Sequence, residues 1–114
     1  MPTLRESYTL LLERNVRWEG AFATEPTEAA WASEAIFFVR ALQVEGDLSH
    51  AEARVQISPD GMHWCDEGTV FPLPDATDAV TFGRVSHFGG WLRIVGEVPD
   101  GVAMTVIAYL VLKG

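Results

Sequence analysis

The chain has 114 residues, enough for one domain around one core, and its 48% hydrophobic content is too high for a disordered polymer. A formal charge of −8 argues against a nucleic-acid backbone or an anionic membrane surface as partner, because either needs clustered Lys and Arg. The first apolar run, Leu10-Leu11-Leu12, is broken by Glu13 and Arg14, and Cys65 is alone. We therefore expect no signal peptide in Met1–Gly20, no membrane-spanning helix and no intrachain disulfide, and a cytoplasmic or particle-associated location.

Ser7 to Glu13 alternates in the manner of a strand, Arg14-Asn15 reads as a tight turn, and Val16 to Ala23 reads as a second strand with Val16, Trp18 and Phe22 on one side. Pro26 ends that strand, and Thr27 or Ser33 stands where the cap of a short helical turn would. Glu34 to Val44 carries a helical stripe through Trp31, Ala35 and Leu42. Its Ile36-Phe37-Phe38-Val39 cluster instead favours a strand buried on both faces. Ala53, Val55 and Ile57 oppose Glu52, Arg54 and Gln56 in a half-exposed strand, which Ser58-Pro59-Asp60-Gly61 turns back into Met62-His63-Trp64-Cys65. A short strand around Thr69–Phe71 stops at Pro72, Asp75 to Asp78 form a polar loop, and Ala79 to Phe88 is a further strand.

The last quarter reads as two strands joined in a hairpin at Pro99-Asp100-Gly101. In the first, Leu92, Ile94 and Val98 share the core face, with Trp91 and Arg93 opposite. The second, Val102 to Leu112, is apolar on both faces: Met104, Val106 and Leu110 on one, Ala103, Ile107, Tyr109 and Val111 on the other. An antiparallel strand with one wet face alternates more cleanly, so a partner is expected on the second face. These readings make one all-β domain spanning residues 1–114, an antiparallel, jelly-roll-like β-sandwich of about seven to nine short strands. At least two of the tryptophans Trp18, Trp31, Trp64 and Trp91 are expected in its core.

Reactive groups are sparse. His63 and Cys65 can share a side of a strand, as a thiolate–imidazole pair or two zinc ligands would, but no second Cys completes either arrangement. Ser86-His87 can be combined with Asp60 or Asp66 into a triad only on paper, since no nucleophile elbow surrounds any Ser. Asp60, Asp66, Glu67, Asp75 and Asp78 lack the spacing of a calcium loop. No catalytic residue, cofactor or metal site is expected.

The stretch Ala53-Arg-Val-Gln-Ile-Ser-Pro-Asp-Gly-Met-His-Trp64 resembles the Ser-x-Asp-Gly-x-x-Trp signature of discoidin-like, galactose-binding-like jelly-roll domains, and Trp91-Leu-Arg-Ile94 is similar to a later strand of those domains. The resemblance implies the fold class alone, because the ligand loops of that family do not map onto these residues. In general style the chain also resembles small sandwich subunits of phage capsids and other bacterial particles. The expected function is that of a non-enzymatic structural or interaction subunit that self-associates or joins a larger protein assembly, with Trp91, Arg93, Ala103, Ile107, Tyr109 and Val111 as interface candidates. The alternative is a carbohydrate-binding module of jelly-roll type.

Overall fold

A computed structural model of the chain describes residues 6–114; the part of the Met1–Gly20 reading that concerns residues 1–5 lies outside them. The described residues form nine strands and no helix: β1 (Ser7–Trp18), β2 (Ala21–Ala23), β3 (Thr27–Glu28), β4 (Glu34–Glu45), β5 (Glu52–Ser58), β6 (Cys65–Pro72), β7 (Val80–Ser86), β8 (Trp91–Glu97) and β9 (Ala103–Lys113). One sheet has the order β1-β9-β4-β7; the other has β2-β8-β5-β6, with β3 also on β8. Setting aside the two-residue β3, the antiparallel pairs are nested: β1 with β9, β2 with β8, β4 with β7, β5 with β6. A long antiparallel ribbon wound into two sheets in this way is a jelly roll.

The apolar alternation read from the sequence fills the space between the sheets. Phe37, Val39 and Ala41 of β4, Val55 of β5, Leu92 and Ile94 of β8, and Met104, Val106, Ala108 and Leu110 of β9 are fully buried. Trp18 from one sheet and Phe22 from the other stack at 3.8 Å between centroids and 6° between planes, which pins the sheets together at that end. Phe22 lies so close to β8 that a Cβ at Gly96 would sit 2.7 Å from its ring, and Phe71 of β6 approaches Gly83 of β7 so closely that a Cβ there would be 2.4 Å away. Glycine at these two strand positions lets aromatic rings take the space of a missing side chain. Of the four tryptophans only Trp18 is fully buried, against the expected two or more; Trp64 and Trp91 are half-buried and Trp31 is exposed.

Several local expectations are corrected. Arg14-Asn15 is not a turn. β1 continues through it along β9, and the register slips between Arg14 and Val16, where Asn15 adopts φ 56. Asn tolerates this left-handed conformation, and the slip returns Val16 to the inner face. No helical turn forms around Thr27 to Ser33. Thr24 and Ala29 donate backbone hydrogen bonds to Ile94 and Gly90, drawing the segment onto β8, and the Ser33 N–H bonds to Lys113 instead of capping a helix. Residues 34–44 are a strand, buried on its inner face only: Ile36, Phe38 and Arg40 on the outer face remain half-exposed.

The largest correction concerns Pro99-Asp100-Gly101. The turn itself forms, with Val102 N–H bonding to Pro99 O at 3.1 Å and Gly101 at φ 78, but it carries the chain from one sheet to the other. Thus β8 and β9 face each other across the core and do not pair. Ser58–Gly61, by contrast, does close a hairpin, β5–β6, with Gly61 at φ 79.

The two turns make a matched test. Val at either Gly61 or Gly101 meets the same left-handed backbone penalty, about 1–2 kcal/mol. A side chain at Gly101 enters open space, whereas a Cβ at Gly61 would lie 3.1 Å from the Trp91 ring. Thermal melting should show Gly61→Val as the more damaging of the two, and equal shifts would mean that the Trp91 contact adds nothing.

Candidate functional site

The outer face of the four-stranded sheet is built from side chains left over once the inner face has been filled. Register alignment puts Leu11, Tyr109, Phe38 and Phe82 in one row across β1, β9, β4 and β7. A second row holds Arg14, Ile107, Arg40 and Val80, and a third holds Thr9, Val111, Ile36 and Arg84. Leu11, Val80 and Phe82 are 49%, 53% and 47% exposed, and Ile36, Phe38, Ile107, Tyr109 and Val111 are half-exposed between them. The result is an apolar surface that spans all four strands. Arg84 lies over the Phe82 ring at 5.1 Å, and Arg40 reaches Asp78 at 2.9 Å on the margin.

The six interface candidates do not fall on one surface. Ile107, Tyr109 and Val111 belong to this face. Ala103 lies on this face too but is buried, at the end of β9 where the Arg17–Glu45 ion pair joins β1 to β4. Trp91 and Arg93 lie on the outer face of the other sheet. There Arg93 stacks on Trp64 at 4.2 Å and donates to Gln56 Oε1 at 2.9 Å; Gln56 in turn donates to Asp66, which Arg54 also reaches at 3.3 Å. The hydrogen bond from Gln56 holds the Asp66 carboxyl below its ordinary pKa, helped by the Arg54 charge. This polar row spends its groups on one another. It also shows that the two stretches carrying the discoidin-like resemblance are neighbours, since β5 pairs with β8.

Leu11, Phe38, Val80 and Phe82 were not among the interface candidates from sequence. Their period-two spacing is visible there, but nothing local says that β1, β4 and β7 share one sheet with β9.

The candidate reactive groups are not brought together. Asp60 is the hub of the β5–β6 turn: it accepts backbone N–H bonds from Met62 and His63, the hydroxyl of Ser58, and an imidazole contact of 2.6 Å from His63. Ser58 and His63 thus each bond to Asp60 and not to each other, the wrong order for a nucleophile and its base. The His63 and Met62 backbone donors hold Asp60 well below the ordinary carboxylate range. Cys65 is exposed, with Sγ 3.7 Å from Ile57 O. His87 is exposed in the loop after β7. Among the described residues no group of His, Cys, Asp and Glu is placed to hold a metal.

Two of the surface recesses carry polar or aromatic groups of interest. A cleft of about 540 Å³ at the β6–β7 seam is lined by Glu34, Glu67, Thr69, Arg84, Ser86 and Lys113 among others. A notch of about 380 Å³ beside β1 is lined by Tyr8 and Trp31, edge to face at 5.4 Å, with Glu6 and Glu28 flanking them and Leu10 and Leu112 at its base.

No protein-family model matches the sequence, and no curated protein matches it. In structure the chain is similar to the SPBc2 prophage-derived protein YomS, with a TM-score of 0.62 over 100% of this chain and 98% of that one at 8% identity. At that identity the likeness establishes a shared all-β fold. FlhE, with a TM-score of 0.38 over 96% of this chain and 95% of its own at 16% identity, is too distant in shape to add to this.

Two outcomes follow from the turn geometry. Because Asp60 is held below its ordinary pKa, its contribution to stability is present above that value and is lost as pH falls through the lowered one. Between about pH 4 and about pH 2 the wild type should therefore lose more melting temperature than Asp60→Asn, and parallel losses would assign the acid sensitivity to other carboxylates. Cys65→Ser should melt within about 0.5 kcal/mol of wild type, as exposed substitutions do; a loss of stoichiometric metal or of a measurable turnover would contradict the structural reading of that residue.

Proposed function

We propose that this protein is a non-enzymatic structural subunit of a phage-type or related bacterial assembly, and that it associates with further copies of itself through the outer face of its four-stranded sheet. The observation that carries the reading is the continuity of the apolar surface across β1, β9, β4 and β7. Isolated exposed apolar residues are ordinary, but a contiguous apolar sheet face ringed by charge marks a contact. The fold shared with a prophage-derived protein supports the same class of role. The separate engagement of Ser58, His63 and Cys65 supports a role without catalysis.

Ile107→Asp tests the contact. The new carboxylate would lie between Arg14 and Arg40 on the flanking strands, so the subunit itself should keep its fold. Sedimentation at micromolar concentration should show wild type as an oligomer and Ile107→Asp as a folded monomer. A monomeric wild type with no partner recovered from its native source would defeat the reading.

The exposed Tyr8–Trp31 pair with its flanking Glu6 and Glu28 favours a second reading, carbohydrate binding, since an aromatic surface beside carboxylates suits the apolar faces and hydroxyls of a sugar. Titration with neutral oligosaccharides should then change tryptophan fluorescence in wild type and not in Trp31→Ala. An unchanged spectrum in both removes this reading.

A further inference from the structure

Charge is unevenly placed on the two outer faces. Five of the eight basic residues, Arg14, Arg17, Arg40, Arg84 and Lys113, align with the outer face of the four-stranded sheet, in a chain of net charge −8. Arg17 and Arg40 have carboxylate partners, whereas Arg14, Arg84 and Lys113 have none among the described residues. Glu34, opposite Lys113, and Glu45 also lie on this face, so the cations it leaves in excess are chiefly Arg14 and Arg84, and a two-fold contact would press these against the same pair in the other copy. The other sheet offers the complement. Ala53 pairs with Gly96, so the register carried one residue on sets Glu52 of β5 opposite Glu97 of β8. Both are exposed and neither has an ion-pair partner among the described residues. Like charges opposite each other on adjacent strands are unfavourable until a cation is supplied. Exposed Ala21, Val70 and Pro72 border them and provide apolar surface at the same place.

We propose that copies associate front to back: the cationic apolar face of the four-stranded sheet in one copy seats on the Glu52–Glu97 end of the five-stranded sheet's outer face in the next. This rests on the self-association proposed above and specifies its geometry. Such a contact uses different surfaces on its two sides, so it repeats around a ring or along an open stack and does not close as a two-fold dimer.

Complementary charge reversal tests it by sedimentation. Arg14→Glu with Arg84→Glu alters the front, and Glu52→Lys with Glu97→Lys alters the back; melting curves verify that both variants fold. If either does not, the corresponding Gln variants are read in the same way for loss of association. Each charge-reversed variant alone should associate at least about tenfold more weakly than wild type, and an equimolar mixture should regain association, because each supplies the surface that the other lacks. A back variant that associates like wild type while the front variant does not would overturn the front-to-back geometry and leave self-association standing. A front variant that associates like wild type would overturn it as well. A wild type that never associates would remove the self-association reading itself.

Discussion

The ladder that β9 makes with β1 on one side and β4 on the other is the constraint on which the sandwich depends. β9 bonds along nearly its whole length to both neighbours, and its inner side chains from Met104 to Leu112 include five that are buried to within about 1% exposure. A strand in that position must be apolar on its inner face to fill the core. Its outer face belongs to a sheet whose other strands also carry apolar residues there, so Ile107, Tyr109 and Val111 acquire apolar neighbours they would lack at an edge. The same ladder thus organises the core on one side and the candidate contact on the other.

Strands were legible in the sequence because period-two alternation is a local property, and Met104-Val106-Leu110 and Leu92-Ile94-Val98 announce their buried faces directly. Pairing was legible at Ser58–Gly61, whose expected hairpin forms, and not beyond it. Pro99-Asp100-Gly101 has the chemistry of a hairpin turn, and its turn hydrogen bond does form, but turn chemistry cannot say whether the strands beyond it pair or diverge into separate sheets. Asn15 shows the converse: a residue suited to a turn serves a bulge, because β9 continues to pair on both sides of it. Of the apolar face, Ile107, Tyr109 and Val111 were legible from the alternation of β9. Leu11, Ile36, Phe38, Val80 and Phe82 were not, because they join it only through contacts distant in sequence. Ala103 lies on the face that alternation assigns it but is buried there, which alternation alone does not show.

The two sheets close in different ways on their outer surfaces. On the five-stranded sheet, Trp64, Arg93, Gln56, Asp66 and Arg54 satisfy one another in a row, leaving few groups with unmet chemistry. On the four-stranded sheet the central rows are aromatic and aliphatic, and the cations Arg14 and Arg84 form no ion pair among the described residues. The five-stranded face is internally bonded except at its Glu52–Glu97 end, whereas the four-stranded face is apolar across its middle with cations toward its margins.

Nesting also dictates when each part of the molecule can form. During synthesis β1 emerges well before β9, its one neighbour among the described strands, so that ladder cannot form until Ala103–Lys113 has left the ribosome. At ordinary elongation rates that interval is on the order of ten seconds, long on the timescale of strand pairing. Among the described strands only the β5–β6 hairpin, in the middle of the chain, joins neighbours in sequence. Contact order is accordingly high, and the loop-closure cost is smallest for that hairpin and largest for the β1–β9 pairing.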